Sequence, residues 1–411
     1  MLNLEKKNYQ ISEKKDFFHD KPNISYDFLK KLELSIQYTN TSDNVNLALA
    51  RYKNKNAQPV ILMHGVSQNF KVWDFPLKRY NFAQYLYNSG YDVWLPCLRG
   101  HGSTFIKSSD IKGVENIDDL AIYDIPAIVD KVVKETGISP IWIGHSLGGM
   151  LAYMYLQGIN YKDGDVTSNI NLSKERNKKL KALITIGSPT KLQWDKRTIK
   201  KTHQARCKTN RIFPFLVHFQ SLRSFCLKLP YIPTASLFNH LLDKGKKSSI
   251  FIKAAQVSLS RFLNSSFASL FWYPQNVNKT LIKHLLCTTL NDISPGVLEQ
   301  FADWVEHKTF RSKQRKDGSY LNYCDNFDRI TLPLCVLTGD KDKIASAPIV
   351  YQEGFLKMGS NNKQYNCFPN FGHNDLCVGL KSSSVVFPFI RNILQKYYTS
   401  EVSKNKTLIR S

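Results

Sequence analysis

The stretch Gly144-His145-Ser146-Leu147-Gly148 constrains this chain more than any other. An apolar run of strand character precedes it at 140–143, and an apolar run of helical character follows at 150–155. G-x-S-x-G acquires chemical meaning in that context, where the serine rides a sharp strand-to-helix turn. Gly144 and Gly148 stand where a Cβ atom would collide with the tight turn. The serine hydroxyl is pushed out of the sheet. The backbone N–H groups after it open a helix and face developing negative charge. The alternative reading of the motif is a structural turn without chemistry.

A serine needs a base to take its proton and a carboxylate to orient that base. In a strand–turn–helix setting these should follow in the order Ser, Asp or Glu, His. The chain supplies that order. A strand-like run at 332–338 ends in Gly339-Asp340-Lys341-Asp342, and a second at 364–368 leads to Phe371-Gly372-His373-Asn374-Asp375. His373 is the candidate base. Asp342 is the preferred acid because it lies past the strand end, where the loop can turn back. Asp340 competes with it but fits a turn cap better. Asp375 is too close to His373 to hold the far ring nitrogen, and reads as a helix cap or loop support. An oxyanion hole should combine the N–H of Leu147 with that of Val66, on the loop after a buried run at 59–63. His64 reads as structural, His145 as packing or pocket lining, and Arg99 as a loop anchor through a salt bridge.

Around these motifs, apolar runs at 59–64, 92–97, 140–145 and 182–187 alternate with helical patterns. One of these, at 126–133, has Pro126 in its first turn and Gly137 at its end. Such alternation predicts βαβ units and a mostly parallel sheet. Alternating segments at 33–39 and 46–52 predict a leading hairpin around 40–44. The pattern breaks between 187 and 332, far longer than an ordinary crossover. That gap predicts a large helical cap inserted between two late core strands. The expected division is a polar lead-in at 1–30, core at 31–189, cap at 190–330, core at 331–398 and a basic tail at 399–411. Ile252, Ala255, Leu259, Phe262, Leu263 and Leu270 fall near helical spacing in the cap.

The chain resembles the α/β-hydrolases, and within them the acid-lipase branch with its bacterial serine-hydrolase relatives. The resemblance rests on His64-Gly65, Gly90-Tyr91-Asp92-Val93-Trp94 with Arg99-Gly100, Tyr123-Asp124-Ile125-Pro126-Ala127, the Ser146 motif, Gly339-Asp340-Lys341-Asp342 and Gly372-His373-Asn374-Asp375, in order over roughly residues 34–396. It implies an α/β-hydrolase fold, with nucleophile, acid and base at Ser146, Asp342 and His373. The chain departs from the animal members in carrying Leu147 where they have Gln. A preference for cholesteryl esters is therefore not implied.

With 411 residues, 42% of them hydrophobic, the chain can bury one large core plus an insertion. No apolar run reaches the ~18 residues of a membrane span. The opening residues lack the apolar centre of a secretory signal, so a cytoplasmic location is expected. Eight scattered cysteines without a C-x-x-C pair read as buried free thiols. No metal-ligand cluster or phosphate loop stands out, and no cofactor is expected. The net charge of +24 suggests an anionic partner. No nucleic-acid motif accompanies it, so nucleic acid is not expected. Attraction to an anionic membrane surface fits better, peripheral to a cytoplasmic location. Residues 191–228 hold ten Lys or Arg against one acid, Asp195, with interleaved aromatics. A solvated basic surface without a partner remains the alternative.

The leading functional expectation is a serine ester hydrolase acting on lipid-like acyl esters. Acyl transfer on the same three residues is the second expectation. A non-catalytic membrane-surface or partner-binding module is the third, disfavoured by the intact Ser, Asp and His set.

Overall fold

The computed structural model describes residues 34–103, 106–109, 115–192 and 268–408, with side chains of the last helix to residue 397. Several expectations lie outside these residues. They are the lead-in at 1–30, the basic stretch beyond Leu192, and the helical spacing from Ile252 to Leu263.

Eight strands form one sheet: β1 (Leu34–Asn40), β2 (Asn46–Tyr52), β3 (Pro59–Met63), β4 (Asp92–Pro96), β5 (Ile141–His145), β6 (Ala182–Ile186), β7 (Leu334–Gly339) and β8 (Lys363–Phe368). Their order is β1-β2-β4-β3-β5-β6-β7-β8. β3 to β8 pair in parallel, and only the β1–β2 and β2–β4 contacts are antiparallel. The mostly parallel sheet expected from the alternation of strands and helices is present. The leading hairpin is also present, with its turn closed by Asn44 at φ +64°. β2 differs from a half-exposed strand, because every residue after Asn46 is buried. It lies between β1 and β4, and packing covers both of its faces.

Period-two alternation divides the core into two layers. Ile61, Met63, Trp142, Leu183 and Val336 pack on one face with α2 (Ile125–Thr136) and α3 (Leu147–Leu156). Val60, Leu62, Ile143, Ile184 and Leu337 pack on the other with α1 (Phe82–Asn88) and the terminal helix Ser382–Leu408. Covered on both faces, the central strands read as continuous apolar runs. Pro126 lies in the first turn of α2, and Gly137 ends it at φ +70°. All ten residues of α3 are buried.

The chain leaves the sheet after β6 and returns at β7. The described part of this long connection contains α5 (Lys279–Thr288) and α6 (Pro295–His307), α4 being Ile170–Lys179 before β6. Leu281, Ile282, Leu285 and Leu286 of α5 join the α1-side core. Trp304 of α6 and Phe310 join the other layer. Asp118, fully buried, ties this region to the core. It accepts hydrogen bonds from the Gln300 amide (2.8 Å), the Tyr323 hydroxyl (2.5 Å) and the Lys313 N–H (2.8 Å). Burial pushes its carboxyl up to about 6. The six described cysteines are free thiols, and Cys97, Cys335 and Cys377 are buried. No helix among the described residues is long and apolar enough to cross a membrane.

Candidate active site

The strand order reverses direction at β3: β4 lies on one side of it and β5 on the other. In an open α/β sheet the loops diverge at such a point and leave a crevice beyond the carboxyl ends of the strands. The loops after β3, β5, β7 and β8 carry the residues singled out from the sequence.

Ser146 occupies the turn between β5 and α3 with φ +52° and ψ −120°, a conformation that costs a non-glycine residue about 1–3 kcal/mol. The surroundings hold it there. Its N–H donates to the Ile186 carbonyl on β6 at 2.9 Å. A Cβ on Gly144 would stand 2.5 Å from the Gly148 backbone, and one on Gly148 would stand 2.6 Å from the Met63 carbonyl oxygen. Both glycines are therefore required by close backbone approach.

The structure brings Ser146, His373 and Asp342 together. His373 Nε2 is 2.9 Å from Ser146 Oγ, and His373 Nδ1 is 2.9 Å from Asp342 Oδ2. All three are buried. The carboxylate accepts a hydrogen bond from Nδ1–H, so the neutral ring keeps its proton on Nδ1 and presents Nε2 as an acceptor for the serine hydroxyl. The other carboxylate oxygen, Oδ1, accepts the N–H groups of Ile344 and Ala345 at 2.8 Å each. These bonds fix the plane of Asp342. Gly187, at φ +56°, lies beneath the pair. A Cβ there would fall 3.1 Å from Asp342 Oδ2 and 3.3 Å from His373 Nδ1. Gly187 was not singled out from the sequence, although it ends the β6 run.

Asp340 lies elsewhere. It accepts the Asn370 N–H at 2.6 Å and pairs with Lys341. Asp375 supports the histidine loop by accepting the Gly372 N–H at 2.9 Å.

Val66 and Leu147 line one narrow cleft together with Leu120, Ile293 and Val297. Among the described residues, neither backbone N–H has a hydrogen-bond partner. Leu147 follows Ser146 directly, and a Cβ on Gly65, the residue before Val66, would stand 3.2 Å from Ser146 Cβ. An oxyanion site needs unclaimed donors close to the nucleophile. His64 is fully buried, with Nε2 accepting the Leu98 N–H (3.3 Å) and Nδ1 bonded to the Gly65 carbonyl (2.9 Å). Burial and the adjacent His101 push it down to about 3, so it stays neutral and structural. His145 is also buried. Its ring centroid is 4.9 Å from that of His373, and its Nε2 is 3.3 Å from the His373 carbonyl oxygen. Burial, with the neighbouring His373, holds its pKa well below the usual histidine range. Arg99 bridges Asp43 (2.7 Å) and Asp124 (2.6 Å), and so ties the β4 loop to the hairpin and to the helix start.

The family described as "alpha/beta hydrolase fold" matches residues 58–380. Human lipase member K is 22% identical over 351 residues, covering 82% of this chain and 79% of that protein. Human gastric triacylglycerol lipase is 31% identical over 110 residues, 25% of this chain and 27% of its own length. The fold of a carboxylesterase from the thaumarchaeon Nitrososphaera gargenis superposes with TM-score 0.52 at 14% identity, covering 89% of this chain and all of that one. The chain belongs to the α/β-hydrolase family, as a lipase- or esterase-like hydrolase.

Proposed function

We propose that this chain hydrolyses carboxylic esters, specifically lipid-like acyl esters, through a Ser146–His373–Asp342 triad and an acyl-enzyme. The observation that carries the reading is the pair of 2.9 Å contacts running from Ser146 Oγ through His373 to Asp342. Ser146 Oγ attacks the ester carbonyl carbon as its proton passes to His373 Nε2. The carbonyl oxygen becomes an oxyanion, stabilised by the N–H groups of Val66 and Leu147. The C–O bond to the alcohol breaks, and His373 gives its proton to the departing oxygen. Water then attacks the acyl-enzyme, with its proton taken by His373. Collapse returns the proton to Ser146 and releases the acid. Asp342 holds the imidazole in the competent tautomer and stabilises the imidazolium that forms twice per cycle.

The lipid-like substrate is supported by the lipase names of the relatives. Two further elements belong to the same proposal. Residues 190–330 cap the site, and the basic stretch at 191–228 meets an anionic lipid surface. A panel of p-nitrophenyl and glycerolipid esters, free and in anionic vesicles, tests all of this beside Ser146→Ala. Acid release by the native chain, lost in Ser146→Ala, is expected. Vesicle-borne turnover should fall steeply with added salt, because surface charge is screened over ~8 Å at physiological ionic strength. Equal turnover in Ser146→Ala would contradict the mechanism. Salt-insensitive vesicle turnover would contradict the membrane contact.

A further inference from the structure

The returning arm of the insertion grips both loops that flank Ser146. Its first grip is on the histidine loop. The carboxylate of Asp375 accepts the Tyr273 N–H (3.0 Å), the Asn276 side-chain amide (2.8 Å) and the N–H of Gly372, the residue before His373 (2.9 Å). Asn276 is 1% exposed. Its Oδ1 accepts the Lys381 N–H at 3.0 Å, and its carbonyl accepts the Leu380 N–H at 2.7 Å. The approach is close, since a Cβ on Gly372 would stand 2.5 Å from the Tyr273 nitrogen.

The second grip is on the loop that carries Val66. Ser67, at φ +55°, donates its hydroxyl to the Asn291 carbonyl at 2.6 Å. The Asn291 N–H donates back to the Ser67 carbonyl at 3.0 Å. Gln68 pairs antiparallel with Leu290, and the Asn69 amide donates to the Thr288 carbonyl at 3.2 Å. Between the grips runs α5, capped by Asn278 and seated on the core by Leu281, Ile282, Leu285 and Leu286. A seated helix has a fixed length, whereas loops leaving a sheet edge are the least rigid parts of a fold.

We propose that residues 273–291 are a strut that sets the distance between the His373 loop and the Val66 loop, with Asp375, Asn276 and Ser67 as positioning residues. The strut rests on the hydrolase reading, because it gives a reason to fix this one distance. The base and the oxyanion donors act on the same reacting carbonyl. A misplacement of about 1 Å between groups of this kind costs roughly 10²-fold in rate.

The two grips act in series, and this distinguishes a strut from two independent loop supports. Release of either end slackens the strut, so release of the second end adds little. The loops then keep only their own contacts, the Gln68 amide on Asn374 Oδ1 (3.4 Å) and His145 between Gln68 and the His373 carbonyl. The test changes one end at a time, then both ends together as the double variant. Ser67→Ala with Asn69→Ala removes both side-chain bonds of the grip at the Val66 end, and Asn276→Ala releases the other. All are assayed on p-nitrophenyl butyrate well below each melting temperature. Each single-end change is expected to lower kcat about tenfold with KM held within about twofold, the signature of lost transition-state alignment. The double variant should fall no more than about twofold below the worse single. Independent supports would instead multiply to about a hundredfold loss, and that outcome would overturn the strut. Singles that keep full kcat would overturn it too. If Asn276→Ala does not fold, Asp375→Asn releases the same grip and takes its place in the cycle. A native chain that turns over no ester and takes no fluorophosphonate label would overturn the hydrolase reading and the strut with it. An active native chain with a multiplicative cycle overturns the strut alone.

Discussion

Replacing Asp342 by Asn separates the two jobs of this carboxylate. Oδ1 is committed to the N–H groups of Ile344 and Ala345, at 2.8 Å each. An amide in this position keeps its oxygen there, because flipping would leave both donors unpaired, at about 1–3 kcal/mol for the buried Ala345 N–H alone. Its NH₂ group then points at His373 Nδ1. That nitrogen must become an acceptor, so the ring proton moves to Nε2 and faces Ser146 Oγ. A ring protonated at Nε2 cannot take the serine proton. Forcing the competent tautomer loses a charge-assisted hydrogen bond, about 1.5–3 kcal/mol, and sets two donors against each other, about 1–3 kcal/mol more. The sum of about 3–6 kcal/mol corresponds to roughly 10²–10⁴ in kcat. Steady-state hydrolysis of p-nitrophenyl butyrate measures it directly, with Asp340→Asn as the control. The Asp340 side chain bonds the Asn370 N–H and Lys341, away from the triad, so the control should stay within about threefold. Asp342→Asn activity within tenfold of native, with matched circular dichroism, would refute the reasoning. So would the reverse order of the two variants.

Gly148→Ala places a methyl 2.6 Å from the Met63 carbonyl oxygen and 2.7 Å from that of His64, so α3 and the end of β3 must separate. We expect about 1–3 kcal/mol of lost stability in urea unfolding, and at least a tenfold loss of kcat as the Val66 loop shifts. Asp118 supplies a pH signature. Its folded carboxyl titrates at about 6 against a reference of 3.8, so between those values the folded state binds more protons and loses stability as pH rises. Asp118→Asn lacks this component, so its deficit against the native chain should be larger at pH 4.5 than at pH 7. A deficit that grows with pH would contradict the buried, proton-retaining carboxyl.

Much of the frame was legible because local rules decide it. β3 to β6 are apolar runs that the sheet buries on both faces. The elbow is marked by two glycines that close backbone contacts require. The choice between Asp340 and Asp342 was harder. They are two residues apart on one loop, and only the path of the chain after β7 aims one at His373 and the other at Asn370. The small hairpin of Ile159–Lys162 with Asp165–Ser168 carries a local signal of its own. Asp163 and Gly164 both have positive φ at its turn, and Asp-Gly between alternating residues is a strong hairpin signal. The grips of Asp375 and Ser67 were not readable. Their partners lie 102 and 224 residues away, a separation that no periodicity encodes. The π-helical turn at Leu120–Asp124 was equally hidden, because it departs from the 3.6-residue repeat and is recognised from backbone geometry.

The central claim is that Ser146 is a nucleophile activated by His373. Covalent capture tests it most directly: exposure of the native chain to a fluorophosphonate, followed by peptide mass spectrometry. The account predicts one stoichiometric phosphonyl adduct on the peptide containing Ser146, with labelling at least ~10³-fold slower in a folded His373→Ala variant. An unlabelled Ser146, or labelling at native rate without His373, would contradict it.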